Sequence, residues 1–102
     1  MARVRVVLAV IDAPGATAST TRVVEAVRTV AREHEPSAGL AHVYTDRHDR
    51  GYGVVLYLLA PLDQASAAAS RLLFAAADEG AFGPGWTVTE LVAWDPAQPA
   101  HV

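Results

Sequence analysis

Histidine, tyrosine and a single out-of-pattern glutamate carry most of the chemistry this chain has to offer. His42 and Tyr44 sit two positions apart in the stretch Leu40-Ala-His-Val-Tyr-Thr45. At that spacing on a β-strand, side chains share a face. Glu90 interrupts an otherwise apolar register of Trp86, Val88, Val92 and Trp94. With Tyr57, these residues form the candidate pocket. His42 and Glu90 are its candidate acid and base, with Tyr44 and Tyr57 beside them; Trp86 and Trp94 are candidate walls for a ligand. An imidazole near a carboxylate serves as a general base at neutral pH. The plainer reading gives His42 no reaction: it is an edge-strand residue, half exposed. Glu90 then guards a sheet edge against pairing with another chain. Buried, Glu90 needs a cation such as Arg3 or Arg5.

No metal centre is expected. His42, Asp46, His48 and Asp49 are close in sequence, but their spacing matches no zinc pattern. The chain has no cysteine, which excludes disulfides, thiolate metal sites and thiol catalysis. No cofactor is implied. Arg47 and Arg50 in the run Asp46-Arg-His-Asp-Arg-Gly51 suit phosphate or carboxylate. Asp46 and Asp49 balance them, so a solvated hairpin tip is the simpler account. His34 reads as a helix-end residue, His48 as a loop residue and His101 as a tail residue.

The elements that must position these residues follow a doubled pattern. Alternation over Arg3 to Ile11 predicts a strand. Helical spacing of Val23, Val27, Val30 and His34 predicts a helix over Thr20 to Glu35, with Ser19, Thr20 or Thr21 as N-cap. Arg22, Arg28 and Arg32 fall on its solvated side. Leu40 to Thr45 and Tyr52 to Leu59 read as strands joined by the charged tip. Gln64 to Glu79 reads as an alanine-rich helix, capped by Asp63 and ended by Gly80. Trp86 to Trp94 reads as the last strand. The order βαββαβ predicts an α+β ferredoxin-like sandwich: a four-stranded antiparallel sheet with two helices on one face. Residues 1–95 form one domain and 96–102 a loose tail.

Two apolar registers then set the expectation about function. Val4, Val6, Leu8 and Val10 are read as facing the helices, which turns Val7, Ala9 and Ile11 outward. The third strand is apolar on both registers. A bare sheet face of this kind calls for a cover. The 52% hydrophobic and 19% charged content points the same way, toward surface buried against a partner. A homodimer is the simplest cover. The net charge of -3 gives no basic footprint for nucleic acid. The apolar run from Val6 to Ile11 is too short to span a membrane, so a cytoplasmic location is expected.

The turn Asp12-Ala-Pro-Gly15 resembles the D-x-P-G turn of ACT regulatory domains, which share the βαββαβ order. That resemblance implies a small-ligand site at a dimer interface and nominates Asp12 and Gly15. In its layout the chain also resembles the dimeric α/β-barrel group: Gly39-Leu40, a histidine-bearing second strand, and an Asp-rich hairpin ending at Gly51. That group includes cofactor-free monooxygenases, cyclases and haem-handling proteins. Three functions stand on this basis. The first is a dimeric binding or accessory module with a small apolar ligand. The second is a cofactor-free enzyme acting on an aromatic small molecule. The third is an interaction subunit that pairs with another protein.

Overall fold

A computed structural model describes residues 3–96. Its elements are β1 (Arg5–Asp12), α1 (Thr20–His34), β2 (Leu40–His48), β3 (Gly51–Leu58), α2 (Leu62–Asp78) and β4 (Thr87–Trp94), with a short 3-10 turn at Pro36–Ala38. The four strands form one antiparallel sheet in the order β2-β3-β1-β4. This is the ferredoxin-like α+β sandwich that the element order predicts. The tail expected from residue 96 onward, with His101, lies outside the described residues apart from Pro96.

Local chemistry accounts for both helices. The Ser19 side chain accepts a hydrogen bond from the Arg22 N–H at 3.1 Å and opens α1. Val23, Ala26, Val27, Val30 and Ala31 form its buried stripe. Pro36 cannot continue the helix and starts the 3-10 turn. α2 begins after Pro61, and no side chain caps it. Asp63 therefore sits within the first turn, where its charge favours the helix dipole, and is not the expected cap. At the far end Arg22 donates to the Glu79 carbonyl at 3.1 Å, and Gly80 takes a φ of 86°.

The two sheet faces are the reverse of the expectation for β1. Val7, Ala9 and Ile11 join the core beneath the helices, whereas Leu8 and Val10 stay outside it and half-buried. Arg3 and Arg5 share the register of Val7, and both reach Asp95 at the sheet end. Asp95 is buried; Arg3 donates to its Oδ2, and Arg5 Nε lies 3.6 Å from the same oxygen. A small residue such as Ala9 also suits close approach of α2, whose core side is Ala65, Ala68, Ala69, Leu72, Leu73 and Ala76. From β3, the core takes Tyr52, Val54, Leu56 and Leu58. That choice decides which residues remain on the open face.

Candidate functional site

The strand registers lay the open face out as rows that cross all four strands. His42, Tyr57, Val6 and Trp94 form one row. Tyr44, Val55, Leu8 and Val92 form the next, followed by Asp46, Gly53, Val10 and Glu90. The first two rows hold only aromatic, aliphatic and imidazole side chains. Tyr44 is 56% exposed, Val92 44% and Trp94 42%. Asp46 and Glu90 bound this patch at opposite edges, and the His48 imidazole lies across Gly53, where a Cβ would come within 2.8 Å of it.

Two irregularities in the edge strands aim the side chains. The β2–β3 register shifts between Leu40 and His42, leaving Ala41 as the extra residue. Leu40 thus packs toward the core while His42 stands on the open face, its ring 5.7 Å from that of Tyr57. The β1–β4 register shifts between Val10 and Ile11, leaving Thr89 extra. The Thr89 hydroxyl donates to the Val10 carbonyl at 3.2 Å at this point. Beyond the bulge the alternation reverses. Trp86 and Val88 turn toward the helices, and Glu90, Val92 and Trp94 turn away.

The candidate pocket is therefore only partly assembled. His42, Tyr44, Tyr57 and Trp94 share the open face, and His42 and Tyr57 touch. Trp86 is on the other side, its ring 5.0 Å from Phe74 and 5.7 Å from Phe82. Glu90 shares the open face with His42 but lies on the opposite edge strand and several residues along it. Standard strand spacings put the two on the order of 20 Å apart. Both side chains are exposed, and Glu90 makes no ion pair among the described residues. The chain thus brings no His42–Glu90 acid–base pair together.

Asp12 and Gly15 both contact neighbours in the fold. Asp12 Oδ1 is 3.4 Å from Arg50 Nε. Gly15 does not have a positive φ; a Cβ there would sit 2.9 Å from Pro84. Arg47 is likewise committed within the molecule. It donates to the Ala18 carbonyl at 3.2 Å and stacks over the Tyr52 ring at 4.9 Å. The Tyr52 hydroxyl donates to the same carbonyl at 2.6 Å, so Arg47 and Tyr52 together pin the loop before α1.

Arg28 and Arg32, read from the sequence as solvated helix residues, line an open cleft of about 430 Å³ between α1 and β2. Ala31, Pro36, Leu40 and His42 also line it. The signal available in the sequence was the spacing of Arg28 and Arg32, which puts like charges one turn apart. Among the described residues, no group of three or more His, Asp or Glu is placed to hold a metal ion, and no helix is long and apolar enough to cross a membrane. No family model, no curated protein and no solved structure matches this chain.

Proposed function

We propose that the protein is a homodimeric binding module that self-associates through the open face of its sheet. A small apolar ligand is held where His42, Tyr57 and Trp94 meet the partner. The observation that carries this reading is the pair of adjacent rows His42-Tyr57-Val6-Trp94 and Tyr44-Val55-Leu8-Val92. Neither row contains a carboxylate, a lysine or an arginine. Charge depletion at the centre with aromatic enrichment is the composition of interface cores. Asp46 and Glu90 stand at the borders, where a polar rim belongs.

The area is adequate. Eight residues of strand and four strands give a face on the order of 500 Å² in projection. Accessible area exceeds projected area on a surface with protruding rings. The face therefore approaches the roughly 800 Å² per partner of a stable interface. Such an assembly has the layout of the dimeric α/β-barrel group. The binding reading is favoured over the cofactor-free enzyme because His42 and Glu90 are separated within the chain.

Sedimentation of the wild-type protein beside Leu8→Glu and Val92→Glu tests the proposal. Val92 is an exposed edge residue, so its variant folds even if a charge on the central strand proves disruptive. The expected result is a wild-type dimer and monomeric variants with unchanged circular dichroism. A wild-type monomer, or variants that remain dimeric, overturns it.

A further inference from the structure

We propose that the cleft between α1 and β2 binds a small molecule with an anionic head, carboxylate or phosphate, on an apolar body. The cleft adjoins the self-association surface at His42, but its arginines lie outside that surface and the inference does not depend on dimerisation.

Arg28 and Arg32 stand one helical turn apart on the cleft wall. Residues at this spacing have Cβ atoms about 5–6 Å apart, so both guanidinium groups can converge on one anion. Like charges so placed destabilise a helix unless a counter-charge sits between them. No carboxylate of the described residues pairs with either arginine. The one acid in the cleft wall, Glu35, is already engaged by Arg71 from α2. The chain carries a net charge of -3, so this unneutralised pair runs against its overall balance.

The rest of the lining suits an organic ligand. Ala31, Pro36 and Leu40 supply apolar walls, and His42 stands at the β2 side beside Tyr57. The volume of about 430 Å³ falls within the range of small-molecule sites. The backbone that shapes the β2 wall is specified. Gly39 has a φ of 64°, and a Cβ on it would meet Leu59 at 2.8 Å. The bulge at Ala41 then follows directly. Arginine provides the planar, bidentate donors that carboxylates and phosphates accept.

Amide chemical-shift titrations of the whole protein at constant ionic strength test the inference. The probes are inorganic phosphate, phenyl phosphate and benzoate, with sodium chloride as control. Saturable shifts are expected at Ala31, Glu35, Gly39, Ala41 and His42. Phenyl phosphate should bind about 10-fold or more tightly than inorganic phosphate, because only it fills the apolar walls. Arg28→Gln and Arg32→Gln should each weaken binding about 10-fold while leaving circular dichroism unchanged. Shifts that sodium chloride reproduces, that fail to saturate below about 10 mM, or that survive both substitutions overturn it. Equal affinity for inorganic phosphate and phenyl phosphate overturns the apolar-body part of the assignment.

Discussion

Trp86 and Trp94 stand on opposite faces of the sheet, although their positions have the same parity in one apolar run. The extra residue at Thr89 separates them by reversing the alternation of β4. Trp86 closes the end of the core against Phe74 and Phe82, and Trp94 becomes part of the open face. The two tryptophans should therefore respond differently to truncation. Trp86→Ala is expected to cost about 2 kcal/mol of stability, less than a fully buried ring because Trp86 is half-buried. Trp94→Ala should leave the fold of the monomer within about 0.5 kcal/mol of wild type and weaken self-association instead. Denaturant unfolding and sedimentation of both variants separate the two effects.

Deleting Thr89 should be tolerated about as well as replacing it. Its removal leaves Val10 opposite Glu90 and Ile11 opposite Val88 on a regular ladder, with Trp86 and Val88 still facing the helices and Glu90, Val92 and Trp94 still facing away. A loss of about 1 kcal/mol is expected for Thr89→Ala, which removes one hydrogen bond, and of no more than about 2 kcal/mol for the deletion. Thermal unfolding of the two variants is the check.

Much of the fold was legible because period-two and helical spacing name the elements and their order. The orientation of β1 was not legible. Val6, Leu8 and Val10 on one register are as apolar as Val7, Ala9 and Ile11 on the other, so hydropathy alone does not choose between them. The arginines at its start do not mark an outward face, because their partner Asp95 lies at the far end of the chain. The bulges at Ala41 and Thr89 carry no local signature, yet they decide where His42 and both tryptophans point. The cleft at Arg28 and Arg32 depends on how α1 packs over β2, a tertiary relationship that helix periodicity does not contain.

Gly51 is fixed by close approach. A Cβ there would lie 1.9 Å from the Ile11 carbonyl oxygen and 2.9 Å from the Ala13 amide nitrogen, both backbone atoms. Gly51→Ala must push β1 and β3 apart at their paired end. A destabilisation of more than about 3 kcal/mol is expected. Gly15→Ala, which meets the ring and the carbonyl oxygen of Pro84 at 2.9 Å, should cost about 1 kcal/mol, because a loop can move. Urea midpoints of the two variants test this ranking.

The loop before α1 should loosen when its anchor is cut. Tyr52→Phe keeps the ring against Phe82 but removes the hydroxyl that donates to the Ala18 carbonyl. The expected cost is about 1 kcal/mol. Hydrogen exchange should speed up over residues 16–19 and remain unchanged in β3.

The central claim, that the open face of the sheet joins two copies, is tested most directly by native mass spectrometry of the protein as purified. A dimer as the main species, with Val92→Glu giving a monomer under the same conditions, is the predicted result. A wild-type monomer with no dimer at micromolar concentration would contradict the claim.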